Sequence, residues 1–223
     1  MLQAHRKPET AFPGTLRRGA FCLRFDDRPG SVKASGSISC ERDMANTPII
    51  GFYSGTHPDN RGHYLHEIQQ WPDEPLESVH EYIQWLFPLP ERSGFNVSAP
   101  VLNPDTVQEF RTSPDLRGNV RASFLRMVEF YGFEVRTGER VTVVRMPNFA
   151  TKAGKWLSPG NHNHLRITRI LRCLTVLGLE AEATAFFGCL VEIYEDEQNK
   201  PIPAISEETV VYWRKAALIV AEE

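Results

Sequence analysis

The chain has 223 residues, 41% of them hydrophobic and 24% charged, which is ample apolar material for one core and the balance of an ordinary folded protein. A formal net charge of −3 and a pI near 6.2 exclude a globally basic field and argue against a nucleic-acid partner. No apolar run approaches the roughly 20 residues of a membrane span, no secretory signal core opens the sequence, and the four scattered cysteines, Cys22, Cys40, Cys173 and Cys189, read as free thiols of a reducing compartment, so the chain is expected inside the cell, in cytoplasm or nucleus.

Residues 1–43 intersperse Arg, Lys, Pro, Gly and Ser with isolated apolar side chains and keep no period of 2 or 3.6, so a disordered or loose N-terminal arm is expected. Met44 stands directly before the first organised sequence, and a product starting there is expected to keep the fold. The main domain is read over 44–195. Turn formers dominate 49–62 (Gly51, Gly55, Pro58, Asp59, Asn60, Gly62), and Tyr64, Leu65, Ile68 and Trp71 then fill one helical face until Pro72.

A single deeply packed helix is predicted around Leu76–Pro90, with Asp73 as its cap, Pro75 in its first turn and Pro88 as its stop. Leu76, Val79, Ile83 and Leu86 form one apolar stripe, and Tyr82 and Trp85 cover a second side. A helix apolar nearly all round belongs at the centre of a helical domain. Its expected partner is the helix through Leu165–Leu177.

Asn103-Pro104 and Ser113-Pro114 are two consecutive helix starts, the second opening a long helix through Leu116, Val120, Phe124, Met127, Val128 and Tyr131 that Gly132 ends. Residues 133–145 carry β-branched runs around Thr137-Gly138 and fit a short β-hairpin, although a basic loop continuing through Lys152, Lys155 and Trp156 fits too. Asn161–Gly178 is the second strong helix, with Leu165, Ile167, Ile170, Leu171, Leu174 and Leu177 toward the core. Glu180–Tyr194 follows as the other arm of an αα-hairpin. Residues 196–223 read as a polar linker and a last helix opened by Ser206. The fold class is therefore mainly α, a multi-helix domain with a short β-hairpin.

Chemistry-bearing residues are few. His80 and Glu81 form a candidate acid/base pair if partly desolvated, or else bond to neighbouring loop backbone. His162, His164, Arg166 and Arg169 lie at the start of one helix. Imidazole, guanidinium and free helix N–H groups all favour an anion, so these four are candidate ligand-binding residues, with a solvated face or salt bridges to Glu180 and Glu182 as the plainer reading. Tyr82 and Trp85 supply candidate aromatic contacts, or simply core. The spacing of His80, His162 and His164 fits no metal motif, so no metal site is expected. Neither a nucleotide loop nor a nucleophile elbow is present, and no cofactor is expected.

The stretches FYSGTHPDNRGHYLHEIQQW, LESVHEYIQWLFPLPERSGFN, FLRMVEFYG and NHNHLRITRILRCLTVLGLEAEATAFF resemble the conserved domain of the opioid growth factor receptor family, over about residues 49–193. That resemblance implies an all-helical intracellular domain binding an enkephalin-type peptide that begins Tyr-Gly-Gly-Phe. The expected function is a helical domain that binds a peptide or a small anionic or aromatic ligand. The alternative is a small helical enzyme, of cyclase or isomerase type, acting on an apolar metabolite in an aromatic pocket.

Overall fold

The computed structural model describes residues 48–218 except Phe95 and Val97; the arm expected over 1–43 and the start at Met44 lie outside them. The chain divides into two units, Met1–Gly36 and Ser37–Glu223, and everything below concerns the second. The described residues form ten helices and one two-stranded sheet. In order these are α1 (48–53), α2 (Leu65–Gln69), α3 (Asp73–Ser78), α4 (Tyr82–Leu86), α5 (Pro104–Thr112), α6 (Pro114–Tyr131), β1 (Phe133–Thr137), β2 (Val141–Arg145), α7 (Phe149–Ala153), α8 (Asn163–Val176), α9 (Glu180–Gln198) and α10 (Glu207–Ala217). The mainly α fold class with one small β-hairpin is what the sequence predicts.

Local chemistry sets most boundaries. Asn103 Oδ1 accepts the Thr106 N–H at α5, Ser113 Oγ accepts the Leu116 N–H at α6, and Ser206 Oγ accepts the Thr209 N–H at α10. Gly132 ends α6 at φ 94°, a left-handed geometry that lets the chain turn directly into β1. β1 and β2 pair antiparallel with Val135 opposite Val143. The hairpin lies on α9 and the end of α6, while α8, α9 and α10 pack on one another. Phe124 and Phe133 both meet Phe186 edge-to-face, all three fully buried.

The segment around Leu76–Pro90 departs from expectation, being two helices rather than one. α3 stops at Ser78 because Val79 is extended (ψ 136°), and α4 starts three residues later. The Leu76 carbonyl accepts from the Tyr82 hydroxyl at 2.8 Å and from Arg166 Nη1 at 2.7 Å, so side chains take the place of the next helical amide. Asp73 is the first helical residue, after the Pro72 cap, and its carboxylate serves Arg126 and Lys152 instead of the helix end. Leu165 is also corrected: it points to solvent, half exposed, while Ile167, Ile170, Leu171, Leu174 and Leu177 are fully buried. α7 is an element that periodicity did not reveal.

Candidate functional site

The basic ridge of α8 has an occupant from within the chain. Arg166, buried, donates from Nη1 to the Leu76 carbonyl (2.7 Å) and Asn163 Oδ1 (3.2 Å), and from Nη2 to the carbonyls of Glu77 (3.3 Å) and Val79 (2.8 Å). Its guanidinium also lies 5.5 Å from the Tyr82 ring centroid. One turn on, Arg169 Nε donates to the Phe87 carbonyl at 2.8 Å, and Arg172 Nη2 pairs with Glu91 at 3.0 Å. Spacing of three residues along α8 thus matches three points along the 76–91 segment. Burial lowers the Arg169 guanidinium to about 10, which leaves it charged at neutral pH. Glu180 and Glu182 pair instead with Arg111 and Arg121.

The aromatic candidates are core. Tyr82 donates to Leu76 O and packs edge-on to Trp71, and Trp85 donates from Nε1 to Asn60 Oδ1 at 3.1 Å while its ring meets Phe52. Their exposures, 1% and 5%, leave no open aromatic face. His164 is likewise interior: its Nε2 lies 3.1 Å from the Trp156 carbonyl, and its ring stands edge-on to both Trp156 and Trp213. Burial lowers its pKa, opposed by the Trp156 hydrogen bond and reinforced by His162.

His80 and Glu81 diverge. Glu81 pairs with Arg61, whose hydrogen bond and charge hold the carboxyl low, whereas exposed His80 faces the other way, its ring centroid 5.1 Å from that of His162. What the fold brings together at the surface is therefore His80, from the α3–α4 junction, and His162, from the start of α8, with Glu77 of α3. Glu77 Oε2 accepts from Asn163 Nδ2 at 3.0 Å, and Oε1 lies 3.4 Å from His162 Nε2. That nitrogen is out of solvent contact and makes no hydrogen bond. Burial first, then the charge of Arg166, lowers the His162 pKa, with Glu77 opposing. Leu165, one turn after His162, puts an exposed aliphatic side chain beside the cluster. Glu77 was not among the residues singled out from sequence, since it lies 86 residues from Asn163, its partner on α8. Among the described residues no three His, Cys, Asp or Glu side chains are set to hold a metal ion, and no helix is long and apolar enough to cross a membrane.

The clamp of α8 on 76–91 joins two of the four stretches that carry the family resemblance, and comparison with known proteins agrees. Residues 40–219 match the opioid growth factor receptor conserved region. The chain is 37% identical to the mouse opioid growth factor receptor over 181 residues and 34% identical to the human one over 182, each alignment covering 78% of this chain. It is 32% identical over 190 residues to the mouse opioid growth factor receptor-like protein 1, covering 79%. Those alignments take in 27%, 26% and 37% of the relatives, so the chain spans between about a quarter and a little over a third of their length. No solved structure matches it significantly. With its conserved region matched from end to end of the folded helices, the chain belongs to the opioid growth factor receptor family.

Proposed function

We propose that this chain is a ligand-recognition domain working in cytoplasm or nucleus, and that it takes a short peptide or small molecule whose free amine sits next to an aromatic ring. The observation that carries this reading is the surface cluster of Glu77, His80 and His162 beside Leu165. Because Arg166 is buried on the carbonyls of Leu76, Glu77 and Val79, and Arg169 turns its Nε to the Phe87 carbonyl, the charge this surface offers is the carboxylate of Glu77, which suits an ammonium group rather than an anion. Two imidazole faces and an aliphatic side chain suit the ring. The relatives are named as receptors of an opioid growth factor, which supports a peptide as the ligand class. Buried free thiols at Cys173 and Cys189 support a reducing compartment.

Calorimetric titration with a peptide beginning Tyr-Gly-Gly-Phe tests the reading. Acetylating its amine, or substituting Glu77→Gln, is expected to weaken binding about tenfold, the worth of roughly 1.4 kcal/mol. Equal affinity for the free and acetylated peptides would overturn the assignment of Glu77.

A further inference from the structure

Three serine or threonine residues of the chain stand directly before proline, Thr47, Ser113 and Ser158, and the last two lie among the described residues. The fold treats those two differently. Ser113 is half-buried, its hydroxyl accepts the Leu116 N–H at 3.3 Å, and Pro114 already belongs to α6, so the chain after it is helical. Ser158 is exposed and lies outside any helix. It is the first residue of a β-turn, Ser158-Pro159-Gly160-Asn161, closed by Asn161 N–H to Ser158 O at 3.2 Å with Gly160 at φ 70°. Proline second and a left-handed glycine third make it a type II turn, which presents its corner to solvent.

The surroundings favour a phosphate. From 140 to 179 the chain holds seven Arg or Lys residues and no Asp or Glu. Arg166, Arg169 and Arg172 are engaged in the clamp. Lys155 is not fully engaged: it shares Asp73 with Arg126 and Lys152, its 3.4 Å contact is the longest of the three, and its side chain is 42% exposed. Asn161 Nδ2 bridges Ser158 Oγ (3.1 Å) and the Lys155 carbonyl (3.0 Å), which ties the hydroxyl to the backbone of Lys155.

We infer that Ser158 is a phosphoacceptor for a proline-directed Ser/Thr kinase, its phosphate held by Lys155 and the Asn161 amide at the entrance to α8. In the transfer, Ser158 Oγ bonds to the γ-phosphorus of ATP, the bond from that phosphorus to the ADP oxygen breaks, and the hydroxyl proton passes to the kinase's base. The phosphate brings a charge of about −1.5 to −2 to a surface whose lysine is under-neutralised. This inference does not rest on the peptide-binding reading.

The test uses the purified full chain with Mg-ATP and a proline-directed Ser/Thr kinase, followed by peptide mapping by mass spectrometry. Phosphate is expected on the tryptic peptide 156–166, at least tenfold more occupied than the site at Ser113, abolished by Ser158→Ala and kept in Ser113→Ala. An unmodified 156–166 peptide, or equal occupancy at Ser113 and Ser158, would overturn the proposal.

Discussion

Replacing Arg166 with alanine separates a structural arginine from a ligand-binding one. The side chain makes two short charge-assisted hydrogen bonds, to Leu76 O at 2.7 Å and Val79 O at 2.8 Å, and two longer ones to Glu77 O and Asn163 Oδ1. Hydrogen bonds from a charged donor contribute about 1.5–3 kcal/mol each, so the two short ones account for about 3–6 kcal/mol. The variant regains the cost of burying the guanidinium, and the carbonyls it abandons are neutral, so no unpaired buried charge is left. About 3–4 kcal/mol is the expected loss. In a domain of this size each kcal/mol moves Tm by about 2–4 °C, giving a fall of about 6–16 °C by differential scanning calorimetry. Arg172→Ala is the internal control: its pair with Glu91 is exposed on both sides, and such pairs contribute about 0–1 kcal/mol. A drop under about 2 °C for Arg166→Ala, or equal drops for the two variants, would refute the clamp as the source of order at the α3–α4 junction.

Lowered by burial, the His164 pKa makes the unfolded chain the better proton acceptor. Stability is then full above the unfolded value near 6.5 and falls as pH drops through it toward the lower folded value, which urea midpoints from pH 8 to 5 should trace. An NMR titration placing His164 at or above 6.5 would contradict this. Asp73 controls the acid limb: although burial opposes it, hydrogen bonds from Arg126 and Lys152 hold its carboxyl below the usual range. Its contribution is therefore present above the unfolded value near 3.9 and lost as pH falls through the folded one, and Asp73→Asn should flatten urea midpoints between pH 5 and 2. Two glycines should respond oppositely to alanine. A Cβ at Gly132 has a left-handed backbone to contend with and would lie 3.2 Å from the Phe149 Cα, so a loss of about 2–3 kcal/mol is expected. At Gly118, inside α6, a Cβ would meet no atom within 4 Å beyond its own stretch of helix, so a gain of about 0.5–1 kcal/mol is expected, both read from chemical denaturation.

Legibility in the sequence tracked how local the deciding interaction is. Ser113-Pro114 at one end and Gly132 at the other were enough to bound α6, because cap and stop act within one turn. The hairpin was readable from its β-branched residues, since Val135 and Val143 pair across a short loop. The break at Val79 was not readable: the periodicity from Leu76 to Leu86 is helical, and what interrupts it is a guanidinium 87 residues later in sequence at Val79. The arginine spacing on α8 was visible, but nothing local distinguishes an arginine that awaits a ligand from one that holds backbone carbonyls. Leu165 matched the apolar period of α8 and still faces solvent, although Asn163, His164 and Arg166 in the same turn are buried, so which side of that turn is covered is set by the surrounding fold and not by the period. Glu77 gave no signal at all, because its significance comes only from meeting His162 across the fold.

The clamp also orders events in time. Leu76 and the Arg166 that binds its carbonyl are 90 residues apart. At a translation rate of about 5–20 residues per second, roughly 5–20 s pass between their syntheses. For that interval the nascent chain holds α3 and α4 without the group that fixes the bend between them. The Glu77–His162 surface is therefore a late product of synthesis, complete only after α8 has left the ribosome.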